Sequence, residues 1–102
     1  MKGTTLYEAS QAVEIRRLVR NGAEFLDLAV PSWAERIRLT KLNMMDVKRC
    51  ILGQLFGSYR EGTEELGDGD WDWGFQHGFS PTTNFEPVYR ERWTEEINER
   101  LS

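Results

Sequence analysis

The central segment, residues 46–62 (DVKRCILGQLFGSYREG), constrains the fold most because it is nearly apolar on more than one face. Val47, Ile51 and Leu55 recur at intervals of four residues, and Tyr59 continues the row. Apolar positions at this spacing share one side of an α-helix, and further apolar residues between them widen that side. The pattern therefore predicts one buried helix over residues 46–62, with the rest of the chain packed around it.

An aspartate and two glycines refine this prediction. Asp46 is a suitable N-cap residue, because its carboxylate can accept a hydrogen bond from a free N–H group of the first turn. Gly53 and Gly57 lie four residues apart, and each costs about 1 kcal/mol relative to alanine inside a helix. One interpretation is a groove of small side chains in which a neighbouring helix or an aromatic ring approaches the backbone. The alternative is that Gly53 marks a kink and Gly57 the end of the helix.

Length and composition indicate one globular domain, residues 1–102. Four tryptophans, five phenylalanines and three tyrosines are generous for this size and argue against a disordered chain. The single cysteine excludes an intrachain disulfide and is typical of a reducing compartment. Neither the apolar core of a signal peptide nor an apolar run of membrane-spanning length is present, so we expect a protein of the cytoplasm with no membrane partner.

Charge is distributed unevenly along the chain. Residues 1–50 carry nine Lys/Arg against six Asp/Glu, whereas residues 51–102 carry four against eleven, and the net charge is −4. An acidic second half disfavours contact with a phosphate backbone. The basic residues of the first half stand singly among acids, which is typical of a solvated surface. The composition therefore disfavours nucleic acid as a partner.

The segments before the central one predict shorter elements. A capping box at residues 5–8 opens a helix that runs to about Asn21, where Gly22 ends it. Residues 23–30 fit either a brief helix or a buried strand. A second capping box at residues 32–35 opens one or two helical turns, and an extended connector follows. The connector's apolar residues, which we expect to lie under the central helix, are Leu39, Leu42 and Met44.

The segments after the central one predict two further helices. A corner rich in glycine and aspartate follows the central helix, and Asp70 then caps a short helix over residues 71–77. Asn84 or Glu86 caps the last helix. The residues on its apolar side are Tyr89, Trp93, Ile97 and Leu101. The pairs that can form on its solvent side are Arg92–Glu96 and Glu96–Arg100. Together these elements predict an all-α, single-domain helical bundle around the central helix.

Cys50 and His77 are the only thiol and the only imidazole, and a nucleophilic pair between them is formally possible. Cys50 is predicted in the middle of a helix on its apolar face, where burial raises the pKa of a thiol and makes it inert. Neither residue lies in a protease signature. The sequence therefore predicts no catalytic residue and no enzyme.

Three alternating aspartates, Asp68, Asp70 and Asp72, resemble the start of an EF-hand calcium loop. The match then fails, because Trp73 and Phe79 occupy the positions of the loop's glycine and glutamate. Zinc requires more nitrogen and sulfur ligands than this chain offers. No phosphate-binding glycine motif is present. We therefore expect no metal, no cofactor and no small-molecule substrate.

Aromatic residues cluster between residues 71 and 85, and this cluster is either core or interface. Its members are Trp71, Trp73, Phe75, Phe79 and Phe85. In a small domain such a cluster is most often core, which we expect for Trp71, Phe75 and Phe79. Trp73 shares a helix face with His77, and both core and partner contact fit it equally well. Trp73 and His77 are therefore the candidate partner-binding residues.

A family resemblance extends from about Gly22 to Leu101. The residues that carry it are Gly22, Phe25-Leu26-Asp27, Val30-Pro31-x-Trp33-Ala34-Glu35-Arg36-Ile37, Cys50-Ile51-Leu52-Gly53-Gln54-Leu55-Phe56-Gly57-x-Tyr59, Gly62, Leu66, Gly78-Phe79 and Trp93-x-x-Glu96-Ile97. In these the chain resembles a group of small proteins of unassigned activity that are encoded by bacteriophages of actinobacteria. The GDGDWDW corner departs from the shorter linker of that group. The resemblance implies a phage accessory protein that acts in the host cytoplasm, and it brings no cofactor or catalytic residue.

Three functions fit the sequence. The first is a non-enzymatic module that binds a host protein, favoured by the lack of a complete catalytic or metal set and by the acidic, aromatic-rich second half. The second is an acidic mimic of nucleic acid that blocks a DNA-binding protein. Its carboxylates would be those of the last helix, Glu91, Glu95, Glu96 and Glu99. The third is direct DNA binding through Arg16, Arg17 and Arg20 of the first helix, which no helix-turn-helix spacing supports.

Overall fold

The computed structural model describes residues 6–81 and 83–102, and these ranges form five α-helices and no strand. The helices are α1 Leu6–Ala29, α2 Ile51–Phe56, α3 Tyr59–Gly67, α4 Trp71–Gln76 and α5 Glu86–Leu101. Three short 3₁₀ turns lie at Trp33–Arg36, Leu39–Lys41 and Thr83–Phe85. The predicted all-α class is confirmed. The N-cap predicted at Thr5 lies outside the described residues.

Helix α1 is longer than predicted, because Gly22 does not end it. Residues 23–29 continue the same helix. Of the two alternatives for residues 23–30, helix is therefore correct and strand is wrong. Ala23 and Leu26 are fully buried there. Gly22 instead lets the end of α4 come close to α1, because a Cβ atom at this position would overlap the carbonyl oxygen of His77. The glycine therefore allows α4 to pack on the middle of α1.

The turn after α1 does not use the predicted capping box. Ser32 has a positive φ of 64°, and its side chain makes no capping hydrogen bond to the 3₁₀ turn that follows. The connector after this turn contains a further 3₁₀ turn at Leu39–Lys41 rather than extended chain throughout. Leu42 and Met44 are buried in the core, as expected of the connector.

The central segment is broken into a turn and two helices, so the prediction of one helix over residues 46–62 is wrong. Cys50 is the N-cap of α2, because its Sγ accepts a hydrogen bond from the N–H of Gly53 at 3.3 Å. Asp46 caps the preceding turn instead, where its carboxylate accepts from the N–H of Lys48 at 2.8 Å. Ser58 caps α3 by accepting from the N–H of Glu61.

The two glycines of the segment have different roles. Gly57 has a φ of +101° and forms the end of α2, which confirms one part of the alternative interpretation. At Gly53 the nearest described atoms belong to the backbone of Val47 and Lys48, in the turn before α2, and to neither a second helix nor an aromatic ring. A Cβ atom there would come within 2.7 Å of the Cα atom of Lys48, so the glycine admits the backbone of the preceding turn. The predicted groove for a neighbouring helix is therefore not formed at this pair.

Most apolar residues of the segment are nevertheless buried or partly buried as predicted and contribute to one hydrophobic core, but Val47 is 58% exposed, so its predicted burial is wrong. The buried members of the segment are Cys50, Ile51, Leu52 and Leu55, each at most 6% exposed. From α5, Tyr89, Trp93 and Ile97 join this core, whereas Leu101 at the end of the predicted stripe is half-exposed. Burial of each large apolar side chain stabilises the fold by roughly 1.5–3 kcal/mol.

Helix α5 begins without a side-chain cap, which corrects the prediction that Asn84 or Glu86 caps it. The N-cap residue is Phe85, and Pro87 in the first turn needs no N–H partner. Glu86 instead holds the connector, because its Oε2 accepts a hydrogen bond from the N–H of Met44 at 2.9 Å. This contact fixes the connector beside the start of α5.

An ion network joins α1 to α5. The carboxylate of Glu96 is 8% exposed and lies 2.8 Å from Arg100 and 3.3 Å from Arg20. Arg100 also binds Asp27 at 2.8 Å, and these contacts show that α1 and α5 run in the same general direction. The predicted pair Glu96–Arg100 is confirmed, but its predicted place on the solvent side of α5 is wrong, because Glu96 is buried. Arg92 forms no pair with Glu96, because its guanidinium binds the neighbouring glutamates of α5 at positions 91 and 95.

Candidate functional site

Cys50 and His77 occupy separate local networks. The Cys50 thiol is 1% exposed, and burial raises its pKa although it lies at a helix N-terminus. Its Sγ contacts the carbonyl oxygen of Val47 and the N–H of Gly53. The imidazole of His77 instead lies with Nδ1 2.8 Å from the carbonyl oxygen of Trp73, and since a carbonyl only accepts, Nδ1 is the donor. This arrangement gives neither residue the partner that a nucleophilic pair needs.

Trp73 and His77, the predicted partner-binding residues, form the outer end of an aromatic stack. Their ring centroids are 4.7 Å apart, and Trp73 also lies 5.4 Å from Phe79 and meets Phe25 edge-on at 5.3 Å. Phe79 is buried and stacks on Trp93 at 5.3 Å. Trp73 and His77 are both partly buried, so only the remaining exposed part of each ring is open to a partner.

The other aromatic residues of the cluster divide differently from the prediction. Phe79 is core, as predicted, and Phe75 is partly buried. Trp71 is 70% exposed, so the prediction that it belongs to the core is wrong. The reason is the direction of α4, which turns Trp73 toward Gly67 and Phe25 and leaves Trp71 on the solvent side.

The aspartates at 68, 70 and 72 shape the corner between α3 and α4. Asp68 ends α3 with a φ of 55°, and Asp70 caps α4, as predicted, by accepting a hydrogen bond from the N–H of Asp72 at 3.0 Å. Among the described residues, no group of three His, Cys, Asp or Glu side chains is arranged to hold a metal ion. The three aspartates are all exposed.

These aspartates belong to a larger charged surface, which we call the acidic face. It comprises Trp71 and the exposed charged side chains of α3, α4 and the corner between them: Arg60, Glu61, Glu64, Glu65, Asp68, Asp70 and Asp72. Residues 59–76 contain six carboxylates and one arginine, a net charge of −5. Arg60, the arginine, binds Glu64 at 3.4 Å. The face thus presents one exposed indole ring among five carboxylates that form no ion pair within the described residues.

The second exposed feature is an apolar pocket of about 160 Å³ that is open on one side. Its lining comes from Met44, Met45, Val47 and Cys50 before α2, from Tyr59 at the start of α3 and from residues 79–81. Met44 and Cys50 are buried in its floor, whereas Met45 is 48% and Val47 58% exposed at its rim. Burial raises the pKa of the Tyr59 hydroxyl, so the pocket wall holds no group that is charged at neutral pH.

The segment that supplies half of the pocket lining is basic, and Lys48 and Arg49 lie between its lining residues Val47 and Cys50 in the chain. Residues 38–49 carry Arg38, Lys41, Lys48 and Arg49 against Asp46, a net charge of +3, and all four basic side chains are exposed. None of the four forms an ion pair with a described residue. The segment 38–49 and the acidic face therefore carry net charges of opposite sign.

Sequence reasoning identifies the acidic second half of the chain but misses the pocket. A pocket formed by residues 44–50, 59 and 79–81 depends on tertiary contact between distant segments, which periodicity does not report. Met45 and Val47 were assigned to a connector and to the buried side of a single helix. The signal available was the adjacent Met44-Met45 pair, since flexible methionines are frequent at adaptable binding surfaces.

Within the described residues, no helix combines the length and the apolar character needed to cross a membrane. Comparison with known proteins gives no further assignment: no protein-family model, no curated protein and no solved structure matches the chain. The function must therefore be inferred from the pocket, the acidic face and the charges around them.

Proposed function

We propose that the protein is a non-enzymatic module that binds another protein through its apolar pocket. The observation that carries this proposal is the pocket of about 160 Å³ with the exposed side chains of Met45 and Val47 at its rim. Folding leaves this apolar surface in water, and covering it with a partner's side chain would be favourable.

The size of the pocket favours a protein partner over a cofactor. A cavity of about 150 Å³ holds one benzene ring. Pockets that bind a cofactor or a drug-sized ligand span roughly 300–1,000 Å³ and bury most of the ligand. A pocket of about 160 Å³ instead accepts one apolar side chain, and the remaining contact area must come from its surroundings. One buried anchor surrounded by peripheral contacts is the usual anatomy of a protein interface.

The glutamates of α5 give little support to the rival function, mimicry of nucleic acid. Glu96 is 6% exposed and pairs with Arg20 and Arg100, while Glu91 and Glu95 both bind Arg92. Such paired carboxylates do not form a row of free charges along the helix. DNA binding through α1 is also disfavoured, because its arginines at 17 and 20 pair with glutamates.

The partner that we propose is a protein of the host cytoplasm, which follows from the resemblance to small phage proteins. The test is affinity capture with tagged chain from the lysate of an actinobacterial host, with the tag placed at either end in turn. Any captured protein is then purified and its affinity is measured directly against the wild type and two variants.

The variants separate pocket binding from surface adhesion. Val47→Asp places a carboxylate at the pocket rim, and we expect it to weaken binding of the partner by at least about tenfold. Leu28→Asp makes the same chemical change at a leucine of α1 that is 88% exposed and does not line the pocket, and we expect the wild-type affinity. Equal loss in both variants, or no loss in either, would contradict a role for the pocket.

A further inference from the structure

Two of the apolar features that the described residues leave exposed are complementary to each other. One is the indole ring of Trp71 on the acidic face, 70% exposed, although tryptophan is among the most buried residue types on average. The other is the apolar pocket, which is open on one side and which no described side chain fills. Trp71 does not line this pocket, so within one molecule the ring and the pocket stay apart.

The sizes of the two features match. A closed cavity of about 150 Å³ holds a benzene ring. The pocket of about 160 Å³ is open on one side, so an indole can insert its six-membered ring and lay the rest against Met45 and Val47 at the rim. Methionine side chains adapt to aromatic rings and make favourable contacts between sulfur and the ring.

The charges match as well. Trp71 lies between Asp70 and Asp72 on a surface whose net charge is −5, and the pocket lies on a connector whose net charge is +3. Insertion of the ring from another molecule would bring these aspartates toward the exposed Lys48 and Arg49. Complementary charge of this kind accelerates encounter and fixes orientation.

We propose that the protein associates with itself, with Trp71 of one copy seated in the apolar pocket of a second copy. This goes beyond the proposed function, and it rests on the same pocket, so that a host partner and a second copy compete for it. Because each copy offers both a ring and a pocket, the same contact can repeat from one copy to the next and link more than two molecules.

Sedimentation equilibrium of the purified chain tests the proposal. The monomer mass is 11.9 kDa, and we expect the weight-average mass of the wild type to rise beyond it with concentration. Trp71→Ala should weaken the association by at least about tenfold, as for a central tryptophan of an interface. Higher salt should also weaken it, because exposed charges are screened. Leu28→Ala is the matched control, an exposed apolar residue elsewhere, and should associate like the wild type.

Mixing two variants gives the decisive measurement. Trp71→Ala keeps the pocket and loses the ring, whereas Val47→Asp keeps the ring and blocks the pocket. Both positions are more than half exposed, so both variants should fold, which thermal unfolding verifies. Each variant alone should be a monomer, and an equimolar mixture should form a 1:1 pair through the one contact that is left.

Three results would overturn self-association through these features. They are a wild type that keeps its monomer mass at every concentration, an association that Trp71→Ala leaves unchanged, and a mixture that stays monomeric although the wild type associates. None of them touches the proposed function, because the affinity for a captured host partner, compared between Val47→Asp and its control Leu28→Asp, is measured separately from self-association. Conversely, loss of partner binding would leave a positive mixing experiment intact.

Discussion

Two glycines with the same backbone conformation provide a test of how tightly α4 packs on α1. Gly78 follows α4 with a φ of +70°, and Gly69 follows α3 with a φ of +75°. A Cβ atom at Gly78 would lie 2.7 Å from the Cα atom of Val19 in α1 and 2.8 Å from its nitrogen. At Gly69 the nearest atom would be Cγ of Glu64 at 3.9 Å. Alanine is therefore strained at both positions but crowded at only one.

The expected costs follow from these distances. The left-handed conformation costs an alanine about 1–2 kcal/mol, and the lower entropy of the unfolded chain returns about 0.4–1 kcal/mol. Gly69→Ala should therefore destabilise the fold by about 1 kcal/mol. Gly78→Ala adds overpacking against backbone atoms of α1, which typically costs a further 1–3 kcal/mol or so. Its total is about 2–4 kcal/mol, a large part of the stability of a small domain.

Urea unfolding followed by far-UV circular dichroism and by tryptophan fluorescence measures both costs. The two probes should give coincident transitions with an unchanged m-value, so that the midpoints report stability. Fluorescence is informative because the carbonyl of Gly78 accepts a hydrogen bond from Nε1 of Trp93 at 2.9 Å. Equal destabilisation by Gly78→Ala and Gly69→Ala would refute the close approach of α4 to α1.

Three further predictions concern the core, the ion network and the thiol. Trp93→Ala should cost about 3–5 kcal/mol in urea unfolding because the ring is fully buried, whereas Trp71→Ala should change stability by less than about 0.5 kcal/mol; similar costs would contradict these burials. The hydrogen bond from Arg100 lowers the pKa of Asp27 below its ordinary value, so this stabilisation is present at neutral pH and lost as pH falls through the folded pKa. Asp27→Asn should therefore lower the urea midpoint at pH 7, by an amount that vanishes in acid; a constant difference would exclude the ion pair as its cause. The Cys50 thiol should react with a disulfide reagent only as fast as the chain opens, because it is buried and its pKa is raised, and urea should accelerate labelling; rapid labelling of the native chain would contradict this.

The sequence alone predicts the all-α class, and it predicts which residues are buried where one long periodic segment packs on the core. In α5, the spacing of Tyr89, Trp93 and Ile97 predicts their burial because sixteen helical residues give the pattern more than four turns. Asp70 was identified as the cap of α4 because aspartate is a common N-cap residue with a local mechanism. Such local rules need no information about distant segments.

The same rules are insufficient where contact between distant segments determines the role of a residue. Gly22 has the features of a helix end, yet α1 continues through it. The glycine is needed at this position because a side chain there would overlap the end of α4, which packs against α1. Cys50 was not recognised as a cap because a thiol is a weak acceptor, and the central segment was therefore extended back to Asp46. In both cases the residue type permits two roles, and only the packing selects one.

The exposure of Trp71 depends on the orientation of α4. This helix is too short for the periodicity of its sequence to show which side faces the core. Helix α4 has six residues, so the sequence alone allows either Trp71 or Trp73 to face the core. Two glycines select Trp73. A Cβ atom at Gly67, the last residue of α3, would overlap the ring of Trp73. A Cβ atom at Gly74 in α4 would overlap the hydroxyl of Tyr59 in α3, so the side of α4 that carries Trp73 and Gly74 packs against α3. Larger residues at 67 and 74 should therefore release Trp73 from the core, and the exposure of Trp71 follows from small side chains elsewhere in the corner rather than from its own surroundings.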